Sequence, residues 1–172
     1  MLITAATTEA KGAPFTLSPL ELADPRPGEV VVRMVGAGVC HTDLVVRDQW
    51  YPVPLPAVLG HEGPGVVASV GDGVTFVVPD DHVVLTFNSC GGCRTCVQGR
   101  PAYCDQFFAY NFAGSRGDGS TPPHREAGDV HGVFGQSSFA TYALATERNL
   151  VKVDQTAPLE KGTALKAVLT FA

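Results

Sequence analysis

The chain has 172 residues, 45% of them hydrophobic and 17% charged, which is the profile of a globular protein with a real core and not of a disordered one. Its formal net charge of −5 gives no electrostatic footprint for nucleic acid or an anionic membrane surface. No apolar run approaches the roughly 20 residues needed to span a bilayer. Glycine (19) and proline (13) are plentiful and separate short Val-rich runs, so a mainly β fold with few short helices and many turns is expected.

In chain order, Phe15 to Leu22 alternates weakly and ends at the turn signal Asp24-Pro-Arg-Pro-Gly28. Glu29 to Val39 reads as a strand that bends at Gly36 and Gly38. Cys40-His-Thr-Asp43 opens a short helix, with Thr42 or Asp43 as its cap or in its first turn. Tyr51 to Pro56 is an extended, proline-stiffened link. Val66 to Val70 and His82 to Phe87 are strands. Phe107 to Gly135 is glycine-rich and aperiodic and reads as a long surface excursion. Ser138 to Ala145 alternates, Leu150 to Val153 is a short strand, and Ala164 to Thr170 is the last. Short strands joined by turns suggest a partly open barrel or a sandwich. Gly63-Pro-Gly-Val-Val-Ala68 matches a dinucleotide-binding glycine pattern, but it precedes a β-branched run instead of opening a helix, so it is set aside.

The densest chemical signal lies at residues 88–106. Cys90, Cys93, Cys96 and Cys104 stand at C-x2-C-x2-C-x7-C spacing. Four thiolates so close can converge on one tetrahedral Zn²⁺. Disulfides suit an oxidising compartment, yet no signal-like leader precedes Met1-Leu-Ile-Thr4, and a reducing cytoplasmic setting is expected. An iron–sulfur cluster prefers a shorter final spacing with proline after the last cysteine, whereas Asp105 follows Cys104. A structural zinc site is therefore expected. A second and weaker constellation is Cys40 with His61, each beside a glycine turn. Glu62 is a further ligand or an outer carboxylate, and Asp43 is placed to accept the spare N–H of a metal-bound His61.

Gly38-Val-Cys40-His-Thr-Asp43, Gly60-His61-Glu62-Gly63 and the four-cysteine lobe, in that order, resemble the zinc-dependent medium-chain alcohol dehydrogenases, in particular the aryl (benzyl) alcohol dehydrogenases. The resemblance runs from about Thr4 to Pro158. It implies a GroES-like partly open β-barrel as a single catalytic domain over 1–172. It implies that Cys40 and His61 are catalytic-zinc ligands and that Glu62 is the acidic neighbour able to reach the metal. By the same resemblance Asp43 supports His61, Thr42 takes the alcohol proton, and His41 faces the pyrophosphate of NAD. Trp50, Tyr51 and Phe87 fall where such enzymes shape a pocket for a small aromatic alcohol or aldehyde. Val45 replaces a relay histidine, and Asp81 replaces a glycine.

The resemblance also breaks. Relatives carry a third zinc-ligand cysteine and then a Rossmann domain, but here no cysteine follows Cys104 and no βαβ pattern appears. The tail 163–171 resembles the family's C-terminal strand, so a splice near 160–162 that removes the cofactor domain is expected. A redox-inactive remnant that does not bind NAD follows, with an empty or weak Cys40–His61 site favoured over a Cys40–His61–Glu62 zinc. A non-redox zinc-binding barrel, acting as a scaffold or in weak hydrolysis, is the alternative. Relatives associate through the cofactor domain, so oligomeric state stays open.

Overall fold

In the computed structural model, residues 1–156 and the backbone of 168–170 are described. The expected splice at 160–162 and most of the tail 163–171 lie outside those residues. The elements are β1 (Leu2–Thr8), β2 (Thr16–Leu22), β3 (Glu29–Met34), β4 (Gly36–Gly38), α1 (His41–Arg47), β5 (Ala57–Val58), β6 (Pro64–Val70), β7 (His82–Leu85), α2 (Arg94–Val97), α3 (Phe107–Phe112), β8 (Pro123–Arg125), β9 (Gly128–Asp129), β10 (His131–Gly132), β11 (Tyr142–Thr146), β12 (Leu150–Lys152) and β13 (Val168–Thr170). The fold is mainly β, as composition indicates. No helix among the described residues is long and apolar enough to cross a membrane.

Two larger sheets carry the structure. One has the order β10-β5-β1-β2-β8-β9, the other β11-β3-β6-β7-β12, and β13 pairs with β4 in a separate ribbon. Of the expected last strand, Ala164 to Thr170, the residues 168–170 are described and return to the body of the domain, with Val168 opposite Gly38 and Thr170 opposite Gly36. Strand β1, for which no expectation was made, lies antiparallel to β2 from Leu2↔Glu21 to Thr7↔Thr16. The glycine pattern at Gly63 to Ala68 lies mostly in β6, paired with β3 and β7, and not in a phosphate loop.

The core has two halves that share walls. Val30, Val32 and Met34 of β3 face one apolar cluster with Val67, Val83 and Leu85, while Val31 faces another with Leu20, Leu59 and Phe139. β11 does the same, with Ala143 and Ala145 on one side and Leu144 on the other. A strand with core on both faces reads as a continuous apolar run, which is why Val30-Val-Val32 and Ala143-Leu-Ala145 lack clean alternation.

The segment 107–135 corrects the expectation of a surface excursion. It holds α3 and three short strands, and Val130 and Val133 enter the core. Hydrogen bonds, not hydrophobic periodicity, fix it. Buried Asn111 accepts from the Asn88 N–H (2.8 Å) and donates to the carbonyls of Asn88 (2.9 Å) and Phe107 (2.7 Å). Arg116 grips Glu29 at the start of β3 through two 2.7 Å bonds.

Asp81, unexplained by sequence, has a structural role. Its carboxylate accepts the Val78 N–H (2.9 Å) and meets Lys152 Nζ at 2.7 Å, tying the turn before β7 to β12. The Lys152 contact and then the Val78 N–H hold its pKa below the ordinary 3.8. Because the folded value is lowered, the stabilisation is complete above the ordinary carboxylate range and is lost as pH falls through the folded value. Asp81→Asn keeps an acceptor for Val78 but loses the charge. It should lower the thermal midpoint at pH 7 by roughly 2–4 °C, and the gap from the parent should close as pH is taken below 3.8 in parallel melts.

Candidate functional site

The cysteine lobe follows β7. Cys90 lies on the incoming loop, Cys93 caps α2, Cys96 lies within α2, and Cys104 follows a short turn at Pro101–Tyr103. One sulfur from each lies within 4.8 Å of the others, and all five cysteines of the chain are free thiols, so the disulfide alternative has no pair. Cys90 Sγ and Cys96 Sγ are 3.9 Å apart. A tetrahedron with Zn–S bonds of 2.3 Å has edges of about 3.8 Å. Backbone N–H groups already aim at the sulfurs: Cys93 N to Cys90 Sγ (3.3 Å), Cys90 N to Cys104 Sγ (3.4 Å) and Gln106 N to Cys104 Sγ (3.4 Å). Such donors favour thiolates. The Thr95 hydroxyl and nearby backbone N–H groups lower Cys93 to about 6, whereas burial and the neighbouring Cys93 push Cys96 up to about 12. Four like charges cannot share this space unless a cation compensates them, which is the chemistry of a closed metal site. The donor set fits zinc.

The second site is built from two loops. Cys40 is the N-cap of α1, and His61 and Glu62 precede β6. Ligand atoms of Cys40, His61 and Glu62 lie within 4.8 Å of one another. Asp43, only 1% exposed, stands behind them. One carboxylate oxygen accepts the Cys40 N–H (3.0 Å), and the other accepts the Gly60 N–H (3.1 Å) and lies 3.1 Å from His61 Nδ1. With Nδ1 held by Asp43, His61 Nε2 is left on the side of Glu62, whose Oε1 is 3.9 Å away. Gly38 lets the backbone come close there: its N–H donates to the Glu62 carbonyl (2.8 Å), and a Cβ on it would sit 2.4 Å from Glu62 Oε2. Burial disfavours the charged His61 ring, but Asp43 and Cys40 outweigh it, so its pKa is raised. The Thr42 backbone N–H, then the Thr42 hydroxyl and His61, lower the Cys40 thiol despite burial. The donor set of thiolate, imidazole and carboxylate fits a zinc site with three protein ligands.

The remaining expected residues divide. The Thr42 hydroxyl is 3.7 Å from Cys40 Sγ. His41 is exposed at the first position of α1, and Val45 lies half-buried further along it. Phe87 lines a pocket of about 370 Å³ together with His61, Glu62, Leu85 and Phe134. Trp50 and Tyr51 do not line that pocket. Trp50 is 80% exposed, and Tyr51 packs on Phe112 with ring centroids 5.8 Å apart. Two residues went unnoticed in the sequence. Phe134 stacks on the His61 ring at 4.6 Å, and buried Gln136 donates to the carbonyls of His61 (3.0 Å) and Thr86 (2.9 Å). Both come from the 107–135 stretch or its edge, where only the glycine-flanked Phe134-Gly-Gln136 hinted at a constrained turn.

Residues 26–155 match the family described as the alcohol dehydrogenase GroES-like domain. A geraniol dehydrogenase of Castellaniella defragrans is 48% identical over 158 residues, which is 91% of this chain and 42% of that protein. The crystal structure of an alcohol dehydrogenase zinc-binding domain protein from Burkholderia ambifaria superposes with a TM-score of 0.90 at 55% identity, covering 92% of this chain and 43% of that one. Benzyl alcohol dehydrogenase from Acinetobacter calcoaceticus gives 0.88 at 49% identity, covering 92% and 43%. The chain therefore spans less than half the length of these relatives.

Asp43→Ala should weaken metal binding at Cys40, His61 and Glu62 by about 10–100-fold. Metal at the four cysteines should be unchanged. Competition with a chromogenic chelator, read as one weak and one tight equivalent, checks both halves.

Proposed function

The chain belongs to the alcohol dehydrogenase GroES-like domain family, and from that premise we propose that it is the metal-holding part of a zinc-dependent alcohol dehydrogenase acting on small aromatic alcohols and aldehydes. The observation that carries this reading is the convergence of Cys40, His61 and Glu62, the last two of which line an aromatic pocket, with Asp43 buried behind His61. A zinc ion held by these three residues would supply a Lewis acid that lowers the pKa of an alcohol oxygen.

The chain's own residues supply the rest. Asp43 fixes the orientation of His61 through Nδ1. Phe134 covers one face of the imidazole, and Gln136 pins the His61 carbonyl to that of Thr86, so the ligand and the pocket wall keep a fixed relation. Phe87 and Leu85 present apolar surface suited to an aromatic ring. The Thr42 hydroxyl, beside Cys40, is the group placed to take the alcohol proton. Val45 cannot carry that proton further, so the path from Thr42 differs from a histidine relay.

Glu62 favours a filled site over the empty or weak Cys40–His61 site expected from the sequence. With Cys40 and His61 alone the chain would offer two ligands, and affinity depends on ligand number. The carboxylate within reach of His61 makes three. The Cys90, Cys93, Cys96 and Cys104 site is proposed as structural zinc. Hydride transfer in this chemistry needs a nicotinamide. The candidate glycine loop is spent in β6, and no βαβ unit occurs among the described residues. The chain by itself is therefore proposed to catalyse little or no NAD-dependent oxidation.

Metal analysis should find about two zinc ions per chain, one of them lost first to chelator, and Glu62→Gln should remove the labile one selectively. A content of one zinc, unchanged by Glu62→Gln, overturns the three-ligand site. NADH formation with benzyl alcohol should stay at background. A clear zinc-dependent signal from this chain alone overturns the claim of redox silence.

A further inference from the structure

The cysteine lobe is joined to the rest of the chain by two stems, and one buried side chain holds both. Asn88 stands two residues before Cys90, and Phe107 stands three residues after Cys104. Asn111, only 1% exposed, commits its whole side-chain amide to them. Its Oδ1 accepts the Asn88 N–H, and its Nδ2 donates to the carbonyls of Asn88 and Phe107. Both main-chain groups of Asn88 are thus paired as a neighbouring strand would pair them, and the neck of the lobe is closed. A metal ion on Cys90, Cys93, Cys96 and Cys104 would close the same loop, so ion and amide favour one geometry.

The same residue reaches toward the second site through its backbone. The Asn111 carbonyl accepts the N–H of Phe134 (2.7 Å). Phe134 has a φ of 53°, in the left-handed region that a bulky side chain rarely adopts, and such a residue stays there only where its surroundings hold it. Here the holding groups are the Asn111 carbonyl, the Phe112 ring at 4.9 Å and the His61 ring at 4.6 Å. Gly135 follows with a φ of 62°, and a Cβ on it would lie 2.8 Å from Asn88 Nδ2, so the Asn88 side chain also abuts this turn. Asn88, Asn111 and Phe112 therefore hold the turn whose aromatic ring lies on the imidazole.

We propose that Asn111 is a positioning residue that couples the two candidate metal sites. With the neck of the lobe closed, its carbonyl holds Phe134 on the His61 ring, and metal on the four cysteines strengthens metal binding by Cys40, His61 and Glu62. This rests on the metal reading of both sites. The coupling is reciprocal, so metal at the second site also tightens the first. Its route runs through Phe134, and Asn111 and Phe134 therefore do not act independently.

The test is competition with a chromogenic chelator on the zinc-loaded chain, the labile and the tight equivalent being read separately. Asn111→Leu removes the clamp and should weaken the labile site about tenfold. Phe134→Leu should weaken it by a similar factor, and the double variant no further than the more affected single one. Cys96→Ser, which impairs the four-cysteine site, should weaken the labile site about fivefold or more in the parent and less than about twofold in Asn111→Leu. Ile3→Ala, a core change in β1, controls for lost stability and should leave the labile site unchanged. Where Asn111→Leu fails to fold, Asn111→Asp takes its place, since it keeps the acceptor for the Asn88 N–H and loses both donors. A labile site unchanged by loss of the clamp overturns the proposal. So do additive losses in the double variant, a Cys96→Ser effect of equal size with and without Asn111, or a loss in Ile3→Ala as large as in Asn111→Leu. A parent chain with no labile zinc overturns the metal reading itself, and this proposal with it.

Discussion

The geometry of this domain hinges on one buried carboxylate. Asp43 is almost wholly removed from solvent, and a charge in that position is tolerable only when its oxygens are met by donors. All three of its partners belong to the ligand loops or to the residue before them: the N–H of Cys40, the N–H of Gly60 and Nδ1 of His61. The first also completes the cap of α1, where Cys40 and the side chain at the third helical position answer each other. Helix start, loop before β6 and imidazole orientation are thus set by a single group. Moving any one of them leaves a charge short of a donor inside the protein, so the thiol and the imidazole are held toward each other by the fold itself.

That coupling explains why the metal-type residues stood out in the sequence and their supports did not. Cys90 to Cys104 are close along the chain, and a closed tetrahedral site leaves its imprint as spacing. Cys40, Asp43, His61 and Glu62 fall on two short segments whose turns are written in glycine. The supports come from afar. Gln136 reaches His61 across 75 residues and Asn111 reaches Asn88 across 23, each by side-chain to backbone bonds that leave no periodic trace. The same reason hid the order in 107–135, which is tied down by Asn111, Arg116 and a few core valines instead of an amphipathic repeat. Where periodicity was available, as in β2, β6 and β7, strand positions were legible to within a residue or two. Where a strand has core on both faces, as in β11, the alternation expected from Ser138 onward was not realised. Trp50 and Tyr51 misled because resemblance places residues by order in the chain, whereas lining a pocket depends on rotamer and neighbour.

The two candidate metal sites ask different things of the fold. In the lobe, four thiolates would surround an ion completely, and the lobe is short of other means of support: α2 has four residues, and none of them is buried. Cross-linking by an ion would take the place of a core there. At Cys40 and His61 the core is already present, since α1 buries Val46 against the larger apolar cluster. Metal at that site would add little to stability and is free to serve chemistry.

The proposed use of Glu62 preserves the charge balance on which such chemistry depends. A thiolate, a neutral imidazole and a carboxylate sum to −2, which cancels a divalent ion and equals the charge of two thiolates with one imidazole. Exchanging sulfur for oxygen keeps that neutrality but gives a harder donor that releases less electron density to the metal. The carboxylate also stands next in sequence to His61, on the loop that Asp43, Gly38 and Gln136 already hold at three points. A third ligand recruited from so constrained a segment needs little ordering of its own. The site can therefore be complete within residues 40–62, without a donor from the part of the family's sequence that has no counterpart in this chain.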